Sequence, residues 1–124
     1  ETIALFTKQG IRTSIFVDPI EKMIIGASET GTDRIELYTE TFAKNFTIDK
    51  NKAVNPFIEA SKTANKLNLG INAGHDLNLY NLSFFNHQVE NLKEVSIGHA
   101  LISDALDYGL ENTVNLYKRA LRKP

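Results

Sequence analysis

The stretch Gly70-Ile71-Asn72-Ala73-Gly74-His75-Asp76 passes from apolar through small residues into a histidine and an aspartate. A second stretch, Ser96-Ile97-Gly98-His99-Ala100, ends in the same manner. Histidine exchanges protons near neutral pH, so both positions suit general acid–base chemistry. The small residues before His75 let backbone approach a ligand closely. Taken alone, a histidine at a strand end is more often a structural hydrogen-bonding group. Glu36 stands inside the apolar run Ile35-Glu36-Leu37. A buried carboxylate is costly unless it is paired or used, and a salt bridge to Arg34 or Arg12 is the plain alternative to a catalytic role. Gly98 and His99 open a short helical pattern. Exposed amide groups at a helix N-terminus bind anions, and glycine permits close approach; a simple helix cap is the alternative there.

Other chemistries find less support. His87 lies in a helical stretch beside Gln88 and is expected in solvent. Asp18 is expected to cap a helix. The three histidines have no H-x-x-x-H spacing, and no metal site is expected. The chain contains no cysteine, which excludes disulfides, zinc-thiolate sites and cysteine nucleophiles. Neither a glycine-rich dinucleotide fingerprint nor a G-x-S-x-G elbow is present.

The elements that must carry these residues follow from periodicity. Residues 1–10 read as the last turns of a helix stopped by Gly10. A chain opening inside a helix with Glu1 is expected to be part of something longer. A β-branched run, Arg12 to Val17, ends at Asp18-Pro19, which predicts a helix with Asp18 as cap and Pro19 as its first residue. Ile20, Met23, Ile24 and Ala27 would share its face, and Gly31 closes the unit. Asp33 to Tyr38 alternates like a strand. Thr39 to Asn51 reads as a long polar loop. A helix with Phe57, Ala60, Ala64 and Leu67 on one side follows, started at either Asp49 or Asn55-Pro56. The third strand is Gly70 to Gly74, and Leu82, Phe85 and Val89 mark the next helix. A fourth strand is expected at Glu94 to Gly98. A short helix then runs from about Ala100 to Tyr108. After Gly109 a last helix aligns Leu110, Val114, Tyr117 and Leu121.

Strands alternating with helices predict an α/β protein with a parallel sheet. Two architectures fit: an open doubly wound sheet of four strands, or half of an eight-stranded β/α barrel, which at full size needs about 250 residues. Strand parity favours the barrel. Ile15, Val17, Ile35, Leu37, Ile71, Ala73, Val95 and Ile97 fall on one face. Ser14, Glu36, Asn72, Gly74, Ser96 and Gly98 fall on the other, with Phe16 and Tyr38 as apolar exceptions. An open sheet covered by helices on both sides should be apolar on both faces. In a barrel the active site lies at the C-terminal ends of the strands. Here those ends carry Asp18, Glu36 with Thr39 beyond it, His75-Asp76 and His99.

Composition sets the outer bounds. The 124 residues are 42% hydrophobic and 23% charged, an ordinary balance for a globular domain. A net charge of −1 provides no global attraction to nucleic acid or to an anionic membrane. Lys118, Arg119, Arg122 and Lys123 cluster where a final helix would end, as its dipole favours. No apolar run approaches the ~18 residues of a membrane span, and no signal peptide is visible.

Four segments, in order along the whole chain, carry a resemblance to a known family: T-S-I-F-V-D (13–18), R-I-E-L-Y-T (34–39), N-A-G-H-D-L (72–77) and S-I-G-H-A-L-I-S-D-A-L (96–106). Together they closely resemble pyridoxine 5′-phosphate synthase, the ring-closing enzyme of deoxyxylulose-dependent vitamin B6 synthesis. The resemblance implies a (β/α)8 TIM barrel, with residues 1–124 as the C-terminal half of its single domain and the four strands here as the fifth to the eighth. It implies condensation of 3-amino-2-oxopropyl phosphate with 1-deoxy-D-xylulose 5-phosphate to pyridoxine 5′-phosphate, phosphate and water. No metal or redox cofactor is implied. A cytoplasmic location and a homo-oligomer, typically an octamer, are.

The same resemblance assigns roles. His75 takes the place of a family proton donor. Asp76 takes a substrate-contacting place that is glycine in some members, so its contact is expected through backbone. Gly98 and His99 take the place of the pair that binds the aminoketone phosphate. Glu36 takes the place of the glutamate that supports the transition state. A histidine, arginines and a glutamate base from the family's N-terminal half have no counterpart here, so this segment alone is expected to be inactive. The alternatives are another phosphate-binding barrel enzyme with a different carbonyl substrate, or a non-catalytic anion-binding α/β module.

Overall fold

The computed structural model describes residues 2–123. Glu1, where the first helix reading begins, lies outside the described residues. Among the described residues six helices and four strands follow one another, alternating up to a final pair of helices: α1 (Thr2–Lys8), β1 (Ser14–Val17), α2 (Glu21–Glu29), β2 (Arg34–Tyr38), α3 (Glu40–Lys66), β3 (Gly70–Gly74), α4 (Leu82–Gln88), β4 (Leu92–Ser96), α5 (His99–Tyr108) and α6 (Leu110–Ala120). The strands form one parallel sheet in the order β1-β2-β3-β4. Parallel crossovers share one hand, so a sequential order places the crossing helices on a single face of the sheet.

That face holds the core. Val17, Ile35, Leu37, Ile71 and Ala73 are buried beneath Ile24 and Ala27 of α2, Phe42, Val54, Phe57, Ala60 and Ala64 of α3, and Leu82 and Phe85 of α4. The rings of Phe42, Phe57 and Phe85 meet pairwise at 4.9–5.9 Å, the tilted and edge-on contacts that aromatic quadrupoles favour. The opposite face presents Ser14, Phe16, Arg34, Glu36, Tyr38, Asn72, Gly74, Glu94 and Ser96. No described helix of the chain covers it, and Phe16 is 53% exposed. The one-sided apolar pattern expected from parity is therefore the pattern observed.

Several local expectations change. Asp18 does not cap α2. The helix starts at Glu21 with Ile20 at the capping position and no side-chain cap. Asp18-Pro19 instead forms a turn in which the Asp18 carbonyl accepts the Ile20 amide at 2.7 Å. Ile20 and Met23 consequently lie on the exposed side, and only Ile24 and Ala27 of the expected stripe are buried. The expected polar loop at 39–51 is helical. Phe42 and Phe46, four residues apart, face the aromatic core, and that burial outweighs the polar composition around them. The helix is kinked at Asp49 (φ −155°, ψ 94°), whose Oδ1 accepts the amides of Asn51 and Lys52 at 3.1 and 3.0 Å. Asp49 thus starts the second half of α3, and Asn55-Pro56 lies inside it.

Strand β4 ends two residues earlier than expected. A register shift between Ile71 and Asn72 pairs Ile71 with Leu92 and Asn72 with Glu94. Ile97 and Gly98 leave the sheet to start α5. Gly109 (φ +77°) separates α5 from α6, a conformation that glycine adopts without steric cost. Of the apolar row expected on α6, Tyr117 is buried while Leu110 is 60% exposed.

Candidate active site

The C-terminal ends of β2, β3 and β4 lie side by side, and the site starts with their backbone. His75 follows β3 with φ +98°, a strained conformation for a residue with a side chain. Its neighbours hold it there. The buried Thr39 hydroxyl donates to the Gly74 carbonyl at 2.6 Å. The His75 amide donates to the Ser96 carbonyl at 3.2 Å. The Asn81 side-chain amide donates to the Asp76 carbonyl at 3.3 Å.

On this turn the His75 imidazole has its Nδ1 2.8 Å from Asp76 Oδ2. The Tyr38 ring stands edge-on to it, with centroids 5.4 Å apart. Phe16 packs on the other side of Tyr38 at 5.2 Å. The Tyr38 hydroxyl donates to Glu40 Oε2 at 2.8 Å, and Lys44 Nζ donates to Glu40 Oε1 at 2.6 Å. Hydrogen bonding from Lys44, then from Tyr38, holds the Glu40 carboxyl below its usual range. The Glu40 carboxylate in turn pushes the Tyr38 phenol and the Lys44 ammonium up.

A cleft of about 450 Å³ opens above these groups, lined by Glu40, Ala43, Lys44, His75, Asp76, Asn78, His99 and Ala100. The structure therefore brings His75, Asp76 and His99 to one place from two strand ends. A concavity of about 460 Å³ lies elsewhere, against α5 and α6 near Tyr108 and Arg119. It contains no histidine and is not at the strand ends. Gly98 is the capping residue of α5; its carbonyl accepts the Ile102 amide at 3.1 Å, and no side chain caps that helix start.

Glu36 does not line the cleft. Its side chain lies across the polar face of the sheet over Gly74, where a Cβ would stand only 2.7 Å from Glu36 Oε1 and from the Ser96 carbonyl oxygen. Glycine is required there by this close approach. The expected salt bridge from Glu36 to Arg34 or Arg12 does not form. Both arginines pair with Glu94 instead, at 2.9 and 3.1 Å. Asn72 joins them, accepting from Arg34 at 3.1 Å and donating to Glu94 at 3.3 Å. Among the described residues Glu36 has no ion-pair partner, and it faces the open side of the sheet.

Tyr38, Glu40 and Lys44 were not legible as site residues. Tyr38 reads only as an apolar exception on the polar face. Glu40 and Lys44 fall in the stretch that reads as loop, although their spacing of four is the signature of a helical ion pair. Among the described residues no group of three or more histidine, aspartate or glutamate side chains is placed to hold a metal ion. No described helix is long and apolar enough to cross a membrane.

Comparison with known proteins identifies relatives along nearly the whole chain. The profile of the family described as "Pyridoxal phosphate biosynthesis protein PdxJ" matches residues 1–123. The chain is 59% identical over 122 residues to the pyridoxine 5′-phosphate synthase of Christiangramia forsetii, covering 98% of this chain and 52% of that protein. It is 56% identical over 122 residues to the enzyme of that name from Flavobacterium johnsoniae, with the same coverage. For the one from Cytophaga hutchinsonii the identity is 55% over 123 residues, covering 99% of this chain and 52% of the relative. The chain spans about half the length of the curated relatives it matches. Matched by that family over residues 1–123 and by these relatives over nearly all of its length, the chain belongs to the PdxJ family of pyridoxal phosphate biosynthesis proteins.

Proposed function

We propose that this chain is the C-terminal half of a (β/α)8 barrel, contributing its fifth to eighth strands, and that the whole barrel is a pyridoxine 5′-phosphate synthase. Its substrates are 3-amino-2-oxopropyl phosphate and 1-deoxy-D-xylulose 5-phosphate, and its products pyridoxine 5′-phosphate, phosphate and water. The observation that carries the reading is the convergence of His75 and His99 on one cleft at adjacent strand ends, in a chain 52–59% identical to proteins of that name. A sequential parallel sheet with one face bare supports the half-barrel. The bare polar face would line the interior, and the two outer strands would pair with the remaining four.

The roles are those that the family resemblance implies, and the positions of the side chains are compatible with them. His75 gives protons to oxygens that leave during dehydration and ring closure. His99 and the Gly98 backbone, at the start of α5, hold the phosphate of the aminoketone. The Asp76 backbone contacts substrate. Glu36, without an ion-pair partner among the described residues, stabilises positive charge as the Schiff base forms. The chemistry runs on proton transfer, with no metal or redox cofactor assigned to it. The enzyme works in the cytoplasm as a homo-oligomer, an octamer by resemblance.

The test is formation of pyridoxine 5′-phosphate by the full-length protein from the two substrates, beside its His75→Ala variant. We expect product from the parent and a rate lower by roughly 10²–10⁴-fold in the variant, the usual worth of a general acid. Absence of product from a folded parent would move the assignment to another phosphate-handling barrel enzyme. A variant as fast as the parent would remove His75 from the chemistry.

A further inference from the structure

We propose that Asp76 is a positioning residue for His75, acting through its carboxylate and not only through its backbone. The inference rests on the reading of His75 as a proton donor. A carboxylate accepts hydrogen bonds and donates none, so the 2.8 Å contact places a proton on His75 Nδ1. Among the described residues Nδ1 is the ring nitrogen with a hydrogen-bond partner, and Nε2 is left for the substrate.

The backbone explains how two chain neighbours come to share one site. In an extended strand successive side chains point to opposite faces. At His75 the chain turns through φ +98°, and both His75 and Asp76 line the same cleft. The turn is pinned by Thr39 on the Gly74 carbonyl, by Ser96 on the His75 amide and by Asn81 on the Asp76 carbonyl. The strain is thus held in place by three separate hydrogen bonds, and what it achieves is the histidine–aspartate contact. The Asp76 side chain is 39% exposed, so it orients the ring rather than sealing it away.

The proton then has a defined path. In the doubly protonated ring, the Nε2–H bond breaks and that proton passes to a departing substrate oxygen. The Nε2 electron pair stays on the ring. The Nδ1 proton stays on the His75 ring, hydrogen-bonded to the Asp76 carboxylate, so the ring returns to one neutral tautomer ready to be recharged at Nε2.

The experiment is ¹⁵N NMR of the full-length protein labelled at histidine, with a His75→Gln spectrum to assign the signal, together with steady-state kinetics of Asp76→Gly. Free histidine side chains favour the Nε2–H tautomer. The neutral His75 of the parent should show Nδ1–H, and Asp76→Gly should shift it to mainly Nε2–H. The same variant should lose kcat on the order of tenfold, with KM for each substrate nearly unchanged. A parent ring protonated at Nε2 overturns the proposal without any variant. So does an Asp76→Gly protein that keeps Nδ1–H, or one with full kcat. Absence of pyridoxine 5′-phosphate from the parent would count against the synthase reading instead, and would leave the tautomer result standing on its own.

Discussion

His99 and His75 line one cleft but enter it from different kinds of backbone, and the separate roles proposed for them can be tested on that difference. His75 hangs from a strained turn beside a carboxylate, an arrangement that fixes a ring. His99 is the first residue of α5, next to amides that carry the positive end of the helix dipole. Such a place suits binding of an anion more than transfer of a proton. His99→Ala should therefore raise KM for the aminoketone phosphate by about tenfold, the worth of one charge-assisted hydrogen bond, with kcat changed much less. Steady-state kinetics with each substrate varied in turn would show it. An unchanged KM would mean that this segment only caps a helix.

At the scale of the element, the polar face of the sheet is made of pairs in which a long side chain of β2 lies over a glycine of β3. Arg34 crosses Gly70, where an added Cβ would stand 2.7 Å from the Arg34 Cγ. Glu36 crosses Gly74 in the same way. The parallel register, Arg34 beside Gly70 and Tyr38 beside Gly74, sets this spacing. Gly74→Ala would force its methyl against Glu36 and against the Ser96 backbone, which has little room to yield. We expect a loss of about 1–3 kcal/mol of stability, read from the urea midpoint of the full-length protein, and a fall in kcat as Glu36 is displaced. A midpoint equal to the parent's would show that β3 and β4 can separate without cost. Helix α3 teaches the complementary lesson. Its first half looks like loop because Phe42, Ala43, Phe46 and Ile48 are spread through a polar run, yet the two aromatic residues facing a packed cluster are enough to hold it helical.

At the scale of the whole molecule, the described residues leave one face of the parallel sheet bare and the outer edges of β1 and β4 unpaired. Edge strands present free amides and carbonyls that pair with any strand within reach. Phe16, Ile20, Leu5 and Phe6 add exposed apolar area on the β1 side. Residues 1–124 produced alone should therefore associate, with a weight-average mass above the monomer that rises with concentration in analytical ultracentrifugation. A monomer with a cooperative melt would favour an open-sheet binding module over half of a barrel.

What could be learned from residue order alone was whatever depends on neighbours within a few positions. Alternation and helical period identified four strands in their order, the fourth two residues late, the core-facing side of each, and the two histidines beyond strand ends. The N-A-G-H and I-G-H-A motifs pointed to the family before any coordinate did. What depends on residues far apart in the chain had to wait for the fold. Arg12 and Arg34 reach Glu94 rather than Glu36 because β4 is brought beside β3, and no local pattern chooses between carboxylates 58 positions apart. Asp18 lost its cap because the path of the chain between β1 and α2 delays the helix to Glu21. Tyr38, Glu40 and Lys44 became site residues only when the end of β2 came to lie against the turn after β3. Local periodicity is a property of the chain, whereas a constellation of side chains is a property of the packing that gathers them.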